Sequence, residues 1–149
     1  MNLPSTRDSG ILNCVSQYKE MIMDAYKGNE TILAVDDDMA MRIFYDCFLG
    51  VLGYKIIFAK DGEEGVYKFK QHKDSIKVIL MDVRMPKKDG VTAYHEIREI
   101  QPDANIIFVT ACQEDTLSLQ QTPNLNVISK PSSGDEIAHR IRMTIDGRA

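Results

Sequence analysis

The sequence predicts an α/β fold: a five-stranded parallel sheet with helices on both faces, plus an N-terminal helical extension. Three observations carry the prediction. Five short apolar runs, each bounded by polar residues or turn formers, recur from Thr31 onward. Segments with apolar residues three and four apart separate most of them, and alternation of strand and helix joins parallel strands by right-handed crossovers. The runs also end alike, in polar residues: Asp36-Asp37-Asp38 after the first, Asp82 after the third, Thr110-Ala111 after the fourth, Ser129-Lys130-Pro131 after the fifth. In an open parallel sheet such ends share the carboxyl edge, where ligands bind.

Near the N-terminus, Ile11, Val15, Tyr18, Ile22 and Ala25 recur at alternating four and three spacing, which predicts a helix from about Gly10 to Tyr26 with a narrow apolar stripe. Asp8 or Ser9 is placed to cap it, and Gly28-Asn29 supplies a left-handed stop. A boundary therefore falls near residue 29, between an extension over 1–29 and a main domain over 30–149. The stripe packs on its own domain, on a docking partner or on a second copy. The spacing suits a weak helix pair, loosened from the domain at Gly28-Asn29.

The first strand is Thr31–Val35. Asp38 caps a helix from Met39 to about Leu52, with Ile43, Phe44, Cys47, Phe48 and Val51 on its inner face and Gly53 closing it; on this reading Cys47 is a core residue. Tyr54–Ala59 is the second strand, Asp61 to about Gln71 a helix burying Val66 and Phe69, and Ile76–Met81 the third strand. Pro86 and Gly90 punctuate the loop before a helix over Gly90–Ile100, with Val91, Tyr94, Ile97 and Ile100 inward and His95 exposed. Asn105–Val109 is the fourth strand and Val127-Ile128 the core of the fifth. Pro123 forbids a long helix between them, and a last helix over Ser133–Ile145 buries Ile137, Ile141 and Ile145.

With 149 residues and 44% hydrophobic content, the chain is long enough for one domain with a real core. A net charge of −4 and a pI near 5.3 offer no whole-chain attraction for nucleic acid. Cys14, Cys47 and Cys112 lack metal-ligand spacing, and an odd number argues against a disulfide framework, which points to a reducing cytoplasm. No apolar run approaches the roughly 18 residues of a membrane span. The chain runs only a few residues past its last helix, which leaves no place there for a DNA-binding domain.

The strand ends carry the chemistry. Two carboxylates about 4 Å apart repel by about 4 kcal/mol at an effective dielectric of about 20, so an acidic cluster at one edge calls for a cation. A hard divalent ion such as Mg²⁺ takes one or two carboxylates together with water and phosphate oxygens. Asp82 then reads as a nucleophile, Asp36, Asp37 and Asp82 as metal ligands, and Thr110 and Lys130 as groups that receive phosphoryl oxygens. The reaction class is phosphoryl transfer onto a carboxylate.

In order, Asp36-Asp37, Asp82, Thr110-Ala111 and Lys130-Pro131, with the run Met81 to Pro86 and Gly90, resemble the signature of response-regulator receiver domains of the stand-alone, chemotaxis-regulator-like kind. The resemblance implies a flavodoxin-like sheet of order 2-1-3-4-5, with Asp82 as phosphoacceptor, Thr110 as switch hydroxyl and Lys130 as the cation on the phosphate. It further implies Mg²⁺ bound by Asp36, Asp37, Asp82 and the backbone carbonyl of Arg84, and a cis Lys130–Pro131 peptide. Arg84 and Cys112 occupy positions that tune aspartyl-phosphate lifetime in the family. The implied partners are a histidine kinase or a histidine phosphotransfer protein, and a downstream protein reached by contact. The implied activity is self-catalysed phosphoryl transfer and dephosphorylation, not turnover of a separate substrate.

Two features depart from the family pattern. Val127 stands where an aromatic residue usually turns inward on activation, and Cys112–Asn126 carries Thr122-Pro123 instead of the usual Gly-Ala before the fifth strand. They leave open a receiver-fold binding module that is not phosphorylated. A third reading takes Asp36 and Asp38 as the DxD motif of haloacid dehalogenase-like phosphatases, but it leaves Asp82 unexplained and the chain offers no room for a substrate-covering cap.

Overall fold

The computed structural model describes residues 6–147, with side chains from residue 10 onward. In chain order the elements are α1 (Thr6–Tyr26), β1 (Thr31–Val35), α2 (Met39–Val51), β2 (Lys55–Ala59), α3 (Gly62–His72), β3 (Ile76–Met81), α4 (Gly90–Ile100), β4 (Ile106–Thr110), α5 (Gln113–Gln120), β5 (Asn126–Ser129) and α6 (Gly134–Ile145). The five strands form one parallel sheet in the order β2-β1-β3-β4-β5. This is the flavodoxin-like arrangement expected.

Alternating side chains divide the core into two layers. Leu33 and Val35 of β1 join Phe69, Ile79, Met81, Ile97 and Phe108 on the face covered by α3, α4 and α5. Ile32 and Ala34 join Tyr45, Leu49, Leu80, Val109, Ile137 and Ile141 on the face covered by α2 and α6. Side chains this deeply buried contribute about 1.5–3 kcal/mol each, so the two layers dominate stability. Both faces are sealed, which is why these strands read as unbroken apolar runs.

Helix ends follow local chemistry. Asp38, Asp61, Asp89 and Ser133 each cap a helix by accepting a backbone N–H in its first turn. Gly53, with φ of +101°, closes α2: its N–H bonds the Gly50 carbonyl and that of Tyr54 the Leu49 carbonyl, a pairing that needs the left-handed conformation. The Lys130–Pro131 peptide is cis, as the resemblance implies.

Two local expectations need correction. α1 begins at Thr6, so Asp8 and Ser9 lie inside it and do not cap it; neither Gly28 nor Asn29 is left-handed. As Pro123 requires, the segment between β4 and β5 holds only a short helix, α5, which ends three residues before it and buries only Thr116 and Leu119. On α2 the buried residues are Tyr45 and Leu49, while Ile43, Cys47 and Val51 are exposed. That helix is apolar around most of its circumference, so periodicity alone did not select the face; the sheet and α6 did. Cys47 is therefore expected to react with an aromatic disulfide reagent in the native protein, ahead of half-buried Cys112. Peptide mapping that finds Cys47 modified only upon denaturation would contradict the orientation of α2.

Candidate functional site

Hydrogen bonds continue one residue past the strands and bring the polar ends together. Asp36 N–H donates to the Ala59 carbonyl (3.0 Å), Asp82 N–H to Val35 (2.9 Å) and Lys130 N–H to Thr110 (2.7 Å). Asp36, Asp82 and Lys130 thus start from backbone fixed by the sheet itself, with no loop flexibility between strand and side chain. Gly90 N–H donates to the Val83 carbonyl at 2.7 Å, and a Cβ at Gly90 would collide with the Asp82 carbonyl. Only glycine lets α4 start this close to the loop that carries Asp82.

Lys130 bridges two carboxylates. Its ammonium donates to Asp36 Oδ2 at 2.8 Å and lies 3.6 Å from Asp82 Oδ2. Asp36, only 1% exposed, has its other oxygen bonded by Asp38 N–H at 2.9 Å, and Arg42 donates to its backbone carbonyl at 2.7 Å. Asp82 Oδ1 accepts from Val83 N–H at 2.8 Å. Asp37 is exposed, and Asp36, Asp37 and Asp82 each offer an oxygen within 4.8 Å of the others.

Charge crowding shows in the ionisation of the set. Burial, and then the negative charge of Asp36, push Asp82 up to about 6 against the pull of Lys130. Burial disfavours the Lys130 ammonium, but its hydrogen bond to Asp36 and the charges of Asp36 and Asp82 outweigh this and hold its pKa up. Tyr45, buried in the layer beneath, is raised by burial and then by the same two carboxylates.

The sequence reading placed Asp36, Asp37, Asp82 and Lys130 together, and the structure does so. Thr110 lies buried at the adjoining strand end, where its hydroxyl accepts from Cys112 N–H at 3.3 Å. The exposed Arg84 side chain pairs with Asp115 of α5 at 2.8 Å, tying the β3–α4 loop to that helix. Arg42 and Tyr45 went unnoticed in the sequence because each lies on a helix whose polar-apolar pattern is blurred. Asp38 is engaged as the α2 cap, accepting from Ala40 N–H, which removes the third residue of the DxD reading.

Residues 32–142 match the family described as the response regulator receiver domain. The chain belongs to that family. This receiver is 32% identical over 118 residues to the chemotaxis protein CheY of Bacillus subtilis, covering 77% of this chain and 97% of that one. It is 32% identical over 125 residues to a probable transcriptional regulator, ycf27, of Galdieria sulphuraria, with 83% of this chain aligned but only 48% of the relative. The chain thus spans about half the length of the ycf27 relatives. Among solved structures, it resembles the CheX–CheY–BeF₃–Mg²⁺ complex of Borrelia burgdorferi, with a TM-score of 0.70 and 28% identity over 78% of this chain and 89% of that one. TrrA of Thermotoga maritima in complex with Mg²⁺-BeF gives 0.68 and 29%, over 77% and 98%. The receiver is accordingly a signalling domain of two-component systems, not a classical enzyme. Its three hard oxygen donors fit the acidic pocket in which receivers bind Mg²⁺. No helix among the described residues is long and apolar enough to cross a membrane.

Proposed function

We propose that residues 30–149 form a receiver that accepts a phosphoryl group on Asp82 from a phosphohistidine of a histidine kinase or histidine phosphotransfer protein, and that signals by protein contact. One observation carries the assignment: of the clustered carboxylates, Asp36 has both oxygens engaged by Asp38 N–H and Lys130, whereas Asp82 keeps an oxygen at the longer distance of 3.6 Å from Lys130. Asp82 is the one poised to attack. At neutral pH it is ionised, and its raised pKa makes it a better nucleophile than an ordinary carboxylate.

In this reading an Asp82 oxygen bonds to phosphorus while the phosphorus–nitrogen bond to the donor imidazole breaks, its electron pair returning to the ring. Lys130 moves its charge from the carboxylates to a phosphoryl oxygen, and Thr110 donates its hydroxyl to another. Asp36, Asp37, Asp82 and the Arg84 carbonyl would hold Mg²⁺. The ion would supply positive charge against the repulsion between Asp82 and an anionic phosphate. Asp36 fixes Lys130 before the donor arrives, so little reorganisation remains.

Incubation with acetyl phosphate and Mg²⁺ is expected to add one phosphate in intact-mass analysis. The adduct should vanish with Asp82→Asn or excess chelator. An undiminished adduct on the Asn variant would move the site elsewhere, and no adduct on the wild type would favour the unphosphorylated binding module.

A further inference from the structure

The family accounts for residues 32–142 and leaves α1 unexplained. Its C-terminal end is locked to the receiver. The Tyr54 hydroxyl donates to the Tyr26 carbonyl at 2.8 Å, Gly28 N–H to Leu52 at 3.1 Å and Arg142 to Lys27 at 3.3 Å. Arg142 also pairs with Glu30 through both terminal nitrogens (3.0 and 3.1 Å), while Met23 and Tyr26 pack on the core. The flexible hinge expected at Gly28-Asn29 is instead a fixed joint.

Beyond that joint the helix is bare. Every residue from Gly10 to Met21 is exposed, including five large apolar side chains, Ile11, Leu12, Val15, Tyr18 and Met21, at 49–68%. Nothing else among the described residues covers them. The segment also contains Gly10, Asn13, Val15 and Ser16, poor helix formers, and its length lies at the roughly 12–15-residue limit below which even good sequences are marginal alone.

We propose that α1 is a dimerisation arm, on which two copies of this chain pair in parallel through Ile11, Val15, Tyr18 and Ile22. The spacing of four and three is that of a helix pair, and every side chain on the seam is uncharged. Lys19 borders the seam beside Val15, while Glu20 and Asp24 lie on the far side. An uncharged seam can meet its own copy without repulsion, whereas a charged partner surface would find no counter-charge along it. Met23 and Tyr26, which touch the receiver, lie about a quarter turn from the seam, so a two-fold axis along the arms carries the receiver bodies to opposite sides. The exposed apolar side chains of two arms bring together on the order of 1,000 Å², at the low edge of a stable interface, so the dimer is weak.

Sedimentation of the full chain is expected to show association with a midpoint near about 100 µM. Val15→Asp with Tyr18→Asp should raise the dissociation constant at least about a hundredfold, while the acetyl phosphate adduct on Asp82 persists and so certifies the fold. With Cys14→Ser and Cys47→Ser in place, Val15→Cys should form an intermolecular disulfide much faster than Asn13→Cys on the opposite side. A wild type that stays monomeric at about 1 mM overturns the proposal, even if hydrogen exchange shows residues 10–21 protected. So does a dimer that survives the double variant, or equal cross-linking at the two positions.

Discussion

Lys130→Met is expected to lose about 3–5 kcal/mol of folding stability in magnesium-free buffer, because it removes the cation from a pair in which Asp36 is fully buried. Without Lys130, Asp36 and Asp82 face each other with no counter-charge, at a cost well above that of a surface ion pair. For a domain of this size the loss lowers the melting temperature by roughly 10 °C, since each kcal/mol is worth about 2–4 °C. Asp36→Asn added to Lys130→Met should recover at least half of it. Urea denaturation of the four proteins in the cycle measures this coupling, and additive losses would show that Lys130 stabilises through packing rather than charge. The single variant should also slow phosphorylation by acetyl phosphate at least about a hundredfold, as the loss of a preorganised charge on a transferring group does. In Asp36→Asn, by contrast, Lys130 remains to meet the phosphate.

Asp82→Asn is expected to do the opposite to stability while abolishing phosphorylation. The folded protein raises the Asp82 pKa to about 6, chiefly through burial and then through Asp36. In the unfolded chain the group returns to about 3.9. The folded state therefore holds this proton more tightly, and its contribution to stability is complete below about pH 4 and lost as pH rises through 6. Above that, ionised Asp82 costs on the order of 2–3 kcal/mol, which Asn avoids. In chelator the variant should exceed the wild type by about this much at pH 7.5, and the gap should close as pH falls toward 4. A gap that is constant with pH would locate the effect in packing. Added Mg²⁺ should stabilise the wild type and leave the variant nearly unmoved.

These opposed expectations describe one arrangement. The edge of the sheet concentrates negative charge beyond what Lys130 neutralises, and this repulsion is what a divalent ion would relieve. Arg84 and Asp115 lie just outside it, where an exposed pair contributes about 0–1 kcal/mol and can part readily.

The sheet was legible in the sequence because both its faces are buried, so each strand is a short apolar run with polar brackets. The site was legible because parallel strands end at one edge, so four residues nearly a hundred positions apart in the chain converge without any contact having to be known. The cap at Asp38 was readable for a related reason: its partner is two residues away. The inner face of α2 was not, since that helix is apolar on several sides and only the neighbouring layer chooses among them. The joint among Tyr26, Glu30, Tyr54 and Arg142 was invisible too, as it links residues up to 112 apart through polar groups that make no periodic pattern. Local chemistry and strand ends thus determined the fold and which polar groups meet at one edge of the sheet. Tertiary packing decided which helix faces reach water, how firmly α1 is held, and how far burial shifts the charge on Asp82, because each depends on neighbours that sequence separation conceals.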